Sequence, residues 1–169
     1  YAHPLYISVL DQFDKTKFVI IPPGVNENIF SQTPALTDKT LKQKLDASFG
    51  INGGPVILVS SRLDEKKNII GVVQAYSEDN ALIKKAHLVL CFRGINDPAA
   101  DIHKLSKEEQ IVLRKILNII ERGHIQKHVH FLNIGSQLEL AATYRYFAQR
   151  GSVFALTSLY EPFGLAPLE

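Results

Sequence analysis

The sequence predicts an α/β protein built on a doubly wound parallel sheet with helices on both faces. Two observations carry that expectation. Short apolar runs alternate along the chain with longer amphipathic stretches, about four times over. The runs Val56-Ile57-Leu58-Val59 and Leu88-Val89-Leu90 are also apolar at every position, so neither face of those strands is written for solvent. That is the mark of a parallel strand buried between two layers.

In chain order, Val19-Ile20-Ile21 is a β-branched run stopped by Pro22-Pro23-Gly24, a strand entering a turn. From Thr37 to Phe49, the residues Leu41, Leu45 and Phe49 recur at helical spacing among lysines, with Thr37 placed as the N-cap. Gly50 to Pro55 breaks that helix, and Val56 to Val59 is the next strand. Asn68 to Tyr76 reads as a helix that turns Ile69, Val72, Val73 and Tyr76 inward, and His87 to Phe92 as a strand ended by Arg93-Gly94. Ser106 to Arg122 carries the clearest helical signal. It opens on a Ser-x-x-Glu capping box of Ser106 and Glu109, followed by a core stripe of Ile111, Leu113, Ile116, Leu117 and Ile120. His128 to Leu132 is a strand, Gln137 to Gln149 a helix and Ser152 to Leu156 a strand. Leu165 to Glu169 reads as the first turns of a helix at which the chain stops. There is no internal repeat.

Composition narrows the class. The 169 residues match one domain, long enough to bury a core. Apolar residues at 46% and charged residues at 21% are those of an ordinary soluble globular protein. The net charge is +2, with Lys and Arg scattered rather than banked, which argues against a nucleic-acid partner. Cys91 is the single cysteine, lies in an apolar run and suits a reducing, cytoplasmic location. It reads as inert core rather than as a nucleophile. No apolar run reaches about 18 residues and no signal peptide is visible, so no membrane partner is expected. The absence of Met anywhere in the chain suggests a piece of a longer protein.

In doubly wound sheets ligands bind beyond the carboxyl ends of the strands, so the segments after Val59, Phe92, Leu132 and Leu156 are the places to look. The first runs from Ser60 to Asn68 and holds three cations, Arg62, Lys66 and Lys67. Arg62 offers a planar fork of donors and Lys67 a point charge, the two ways a protein holds phosphate. The same loop also reads as a solvated charged turn. In the last segment Pro162 sets a tight entry and Gly164 permits close backbone approach. The unpaired first amides of a following helix are a ready anion site. Glu161 and Glu169 flank it, each a good acceptor for a sugar or ribose hydroxyl. The plainer alternative makes Glu161 an electrostatic helix cap and Glu169 a surface residue. Neither segment holds a Gly-x-Gly-x-x-Gly or Walker cradle. His128 and His130 share a strand face without Cys or carboxylate at ligand spacing, so they read as core or surface histidines and no metal is expected. Nothing resembles a Gly-x-Ser-x-Gly nucleophile elbow.

Taken together, these segments resemble a family. Arg62-x-x-x-x-Lys67 after one strand, then Glu161-Pro162-Phe163-Gly164-Leu165-x-x-x-Glu169 at the end of the chain, is similar to the retaining GT-B glycosyltransferases. Ile21-Pro22-Pro23-Gly24-Val25-Asn26, with Phe30 beyond it, looks like the hinge at which their second domain begins. Within that group the likeness is strongest to the sucrose-phosphate synthases. It lies in Ser61 to Asn68, in the insertion after Arg93-Gly94, and in Gly151-Ser152-Val153-Phe154 leading to Tyr160 through Leu165. Sucrose synthases and mannosylfructose-phosphate synthases share enough of these features to stay open.

The resemblance implies the incomplete C-terminal half of a GT-B fold, a Rossmann-like sheet. Residues 1–18 would be a remnant of the N-terminal domain or the interdomain connection, and 19–169 a nucleotide-sugar-binding domain truncated at its C-terminal end. The implied reaction moves a hexose, glucose by this likeness, from UDP-glucose or another nucleoside-diphosphate sugar to a sugar phosphate. That acceptor would be held by the missing domain. Arg62 and Lys67 would neutralise the leaving diphosphate, and Glu161 would hold hexose hydroxyls. The amides of Phe163, Gly164 and Leu165 would face hexose and phosphate, and Glu169 the ribose. Gly94 with Arg93, and the loop from Asn133 to Gln137, match the base site by position. No cofactor and no obligatory metal are implied. Catalysis in such enzymes needs a cleft closed between two domains, so the chain alone is expected to transfer no sugar. Two other readings stay open: a sugar-nucleotide epimerase of the same fold, and a nucleotide-binding or interaction module with Arg62 and Glu161 as surface charges. The donor base, the acceptor and the oligomeric state are not written in the sequence.

Overall fold

The structure is a computed structural model that describes residues 24–49, 53–161, 164–166 and 168. The strand expected at Val19 to Ile21 lies outside the described residues, as do Phe163 and Glu169. In chain order the elements are α1 (Leu36–Phe49), β1 (Val56–Ser60), a 3-10 turn (Glu65–Lys67), α2 (Ile69–Glu78), α3 (Asn80–Lys85) and β2 (His87–Phe92). There follow α4 (Pro98–Asp101), a second 3-10 turn (Ile102–Lys104), α5 (Lys107–Arg122), β3 (Val129–Asn133), α6 (Gln137–Ala148) and β4 (Val153–Phe154).

Among the described residues four strands form one parallel sheet in the order β3-β2-β1-β4. Alternation along each strand sends side chains to two separate cores. Val56 and Leu58 of β1, Val89 and Cys91 of β2 and Leu132 of β3 pack with Leu41 and Leu45 of α1 and Ala142, Tyr146 and Phe147 of α6. Val59, Leu88, Leu90, Phe92 and Val129 face the other way, onto Ile69, Val73 and Tyr76 of α2 and Leu113 and Ile116 of α5. Both layers are therefore real, and the doubly wound class holds. Cys91 is buried, and its desolvation pushes the thiol far above the usual range, as an inert core residue requires.

Polar contacts fix the first layer. Arg145 of α6 grips Asp38 of α1 with two donors, at 2.7 Å each, and donates to the carbonyls of Ile29 and Ser31. Asp46 accepts from the Tyr146 hydroxyl and from Arg150.

Several expectations are corrected. α1 begins at Leu36, so Thr37 sits inside the first turn rather than at its cap. In α5 the buried stripe is Val112, Leu113, Ile116 and Ile120, while Ile111 is 52% exposed. α3 and α4 were not expected; both are too short for periodicity to show. Of the helix start expected at Leu165 to Glu169, the described residues show one turn, the Leu168 amide donating to the Leu165 carbonyl at 2.8 Å; Pro167 and Glu169 lie outside the described residues.

Candidate functional site

The strand order decides where a ligand would sit. From β1 the chain winds through β2 to β3 in one direction, then returns to place β4 on the opposite side of β1. The winding therefore reverses between β1 and β4, and the crevice beyond their carboxyl ends is the topological switch point. The two loops that flank it are those the sequence singled out.

The loop after β1 is shaped by its own residues. Asp64 caps the 3-10 turn by accepting from the Lys66 amide at 2.9 Å. Asn68 then takes the left-handed region, at φ 53°, and starts α2. Its amide side chain lies over Gly71, where a Cβ would come within 2.5 Å of Asn68 Oδ1. Glu65 reaches Lys115 of α5 at 2.9 Å, tying the loop to the far layer. Arg62 stands exposed on this loop; its carbonyl accepts from the Asp64 amide at 2.9 Å, while its guanidinium has no hydrogen-bond or ion-pair partner among the described residues.

The loop after β4 is strapped to it. The Leu159 amide donates to the Lys66 carbonyl at 2.8 Å, and the Thr157 hydroxyl to the Lys67 carbonyl at 3.4 Å. Lys67 Nζ meets Glu161 Oε2 at 2.6 Å, with the two side chains only 18% and 24% exposed. The Ser158 hydroxyl also donates to this carboxylate, at 3.4 Å. Lys67 above all, with help from the Gly164 amide and Ser158, holds the Glu161 carboxyl below its usual range. Burial pulls the other way, more strongly than either Gly164 or Ser158 pulls down, but less than Lys67 does. Gly164 follows at φ 62°. Residues 94 apart in sequence are thus brought into contact, two of them predicted site residues.

The third wall is built by the loops after β2 and β3. Gly94, at φ 80°, donates its amide to Asn133 Oδ1 at 2.7 Å, and Asn133 Nδ2 donates to Asn96 Oδ1 at 3.1 Å. Asp101 accepts from the amides of Asn96 and Asp97 and pairs with Lys104 at 2.6 Å. Those bonds, that from Lys104 foremost, hold its carboxyl down at about 2. At the start of α6, Ser136 accepts from the Glu139 amide, and Glu139 Oε2 accepts from the Gly135 amide. A groove of about 350 Å³ runs between these loops, lined among others by Arg62, Arg93, Ile95, Ile134 and Ser136. Arg62 enters this groove; Lys67 and Glu161 do not line it. Gly94 lies between two residues that do. Among the described residues no group of three or more His, Cys, Asp or Glu side chains is arranged to hold a metal. None of their helices is long and apolar enough to cross a membrane.

Sequence reasoning missed Asn133 and Asp101 as organisers of the loop after β2. Asn133 was named only as the start of a loop. The Asp97-Pro98 pair was the overlooked signal, since Asp97 caps α4 with Pro98 at its first turn.

The family description "Glycosyl transferases group 1" matches residues 42–169, which include the whole sheet and both switch-point loops. The chain belongs to the group 1 glycosyl transferases. Proteins similar to this group 1 glycosyl transferase include the probable sucrose-phosphate synthase of Thermosipho melanesiensis, 37% identical over all of this chain and 33% of that protein. Sucrose synthase 2 of Zea mays is 27% identical over 95% of this chain and 21% of that protein. Among solved structures, a sucrose-phosphate synthase from Thermosynechococcus elongatus superposes with a TM-score of 0.59. It is 22% identical, over 96% of this chain and 35% of that one, and speaks for the fold. The chain thus spans a third or less of the length of the two curated relatives.

Proposed function

We propose that this chain grips the nucleoside-diphosphate sugar of a retaining hexosyl transfer, with the diphosphate at the switch point between β1 and β4. The observation that carries the reading is the meeting of Lys67 and Glu161 there, on the loop that also carries Arg62, whose guanidinium has no partner among the described residues. One site then offers two cations for a leaving diphosphate and a carboxylate for sugar hydroxyls.

The chemistry follows from charge. As the bond between the anomeric carbon and the diphosphate breaks, negative charge builds on the leaving oxygen. Arg62 and Lys67, carried on one loop, stabilise that charge more than they stabilise the bound donor. Glu161 orients the hexose by accepting from its hydroxyls, and the amides of Gly164 and Leu165, with Phe163, lie along hexose and phosphate. Glu169 accepts from the ribose. The base would sit in the groove of about 350 Å³ beside Gly94 and the Asn133 to Gln137 loop. The similarity to sucrose-phosphate synthases supports UDP-glucose as donor and a sugar phosphate as acceptor. The cations meet the leaving group's charge, so the reading calls for no cofactor.

The test is calorimetric titration of the chain with UDP, ADP and GDP, repeated with Arg62→Ala. Removing a charged hydrogen bond is expected to cost about 1–3 kcal/mol, roughly 5- to 150-fold in Kd. Saturable binding of one nucleotide with that loss supports the reading. An unchanged Kd in the variant sinks the phosphate role of Arg62.

A further inference from the structure

The two cations assigned to the diphosphate stand in different states, which the donor-site reading does not require. The Arg62 guanidinium has no partner among the described residues, while Lys67 is already neutralised by Glu161 at 2.6 Å in a poorly solvated contact. A diphosphate approaching Lys67 also meets the carboxylate beside it, and like charges held close in a half-buried site repel strongly. Glu161 in turn cannot give both its oxygens to a sugar while one of them holds Lys67. The backbone strap is independent of the ion pair. Leu159 bonds Lys66 and Thr157 bonds Lys67 through main-chain carbonyls, so the pair can open by rotation of the lysine stem without parting the loops.

We propose that the Lys67–Glu161 pair is a latch that the donor exchanges. Lys67 turns from Glu161 to the diphosphate, and the released carboxylate is satisfied by hydroxyls of the hexose. This rests on the donor-site reading and adds a consequence to it. An intact nucleoside-diphosphate sugar meets both halves of the broken pair. The bare nucleoside diphosphate left after transfer meets only Lys67 and strands a half-buried carboxylate, a costly state. Re-formation of the pair therefore works against the product and favours its release, so Glu161 sets the preference for donor over spent nucleotide.

The experiment is calorimetry of the wild-type chain and Glu161→Gln with UDP, ADP or GDP, whichever the wild type binds, and with the glucose conjugate of that nucleotide. Without the latch, Lys67 is free from the start. Glu161→Gln is expected to bind the bare nucleotide about 3-fold tighter or more, and the conjugate about 5-fold weaker or more. In a Lys67→Ala background the same change is expected to give no tightening, because the latch is already gone. If circular dichroism shows Glu161→Gln unfolded, Glu161→Asp replaces it. One methylene shorter, it is expected to shift the bare nucleotide in the same direction, by less. Bare-nucleotide affinity that is unchanged or weakened in a folded Glu161 variant overturns the latch and leaves the donor site standing. No saturable binding by the wild type overturns both.

Discussion

Asp101 organises the loop after β2 from inside it, accepting from the amides of Asn96 and Asp97 while Lys104 pairs with its other oxygen. Its carboxyl is held at about 2 against an ordinary 3.8. A depressed carboxyl contributes stability that is full above the unfolded value and is lost as pH falls through the folded one. Asp101→Asn is therefore expected to flatten the acid limb of a melting-temperature profile between about pH 4 and about pH 2. An acid limb as steep as the wild type's would show that other carboxylates set it. Asn133 completes the same loop by bridging Gly94 and Asn96. The contrast with Arg62, Lys67 and Glu161 shows what a sequence reveals at this scale. Those three were singled out by their place just past buried strands and by their match to a family motif. Asn133 lies 39 residues from the amide it accepts from, and no local pattern records that meeting.

At the scale of elements, α5 shows how much a helix writes into its own sequence. Both halves of the capping box form: the Ser106 hydroxyl accepts from the Glu109 amide, and Glu109 Oε2 accepts from the Ser106 amide. Ser106→Ala leaves the start of the helix uncapped and is expected to cost about 1 kcal/mol, read as a shift in the urea midpoint with an unchanged slope. A shift of a few tenths or less would mean that solvent replaces the cap. The stripe behind the cap was read one position off at its start. Ile111 and Val112 are both β-branched and apolar, so composition cannot choose between them, and packing against β2 and α2 buries Val112. α3 and α4 escaped notice for a related reason. A helix of six or four residues has no stripe to read, and only Asp79 and Asp97, each accepting from two amides, mark where they begin.

Across the whole molecule the two ends of the sheet carry different chemistry. The carboxyl ends hold the candidate donor site; the amino ends of β2 and β3 hold three histidines. His87 and His130 stack with ring centroids 5.0 Å apart, and Nδ1 of the first lies 2.7 Å from Nε2 of the second. The His128 ring is 5.2 Å from that of His87, and its buried Nδ1 has no hydrogen-bond partner among the described residues. A small cavity of about 110 Å³ is lined by His87, His130 and Arg150, so the Arg150 cation faces the pair from just beyond α6, although Asp46 accepts from it. Burial first, then the neighbouring histidines, pushes His87 and His130 below the ordinary 6.5. The sign follows: below about 6.5 the unfolded chain takes up protons that the folded one refuses, so stability falls as pH drops toward the lowered native values. The melting temperature is therefore expected to be lower at about pH 5.5 than at about pH 7.5, and a His87→Gln, His130→Gln double variant to lose most of that difference. If the slope survives in the folded double variant, acid sensitivity arises elsewhere. Because the cluster and the switch point lie at opposite ends of the strands, the double variant should leave nucleotide affinity at neutral pH unchanged. That separates a stability effect of the histidines from any part in binding.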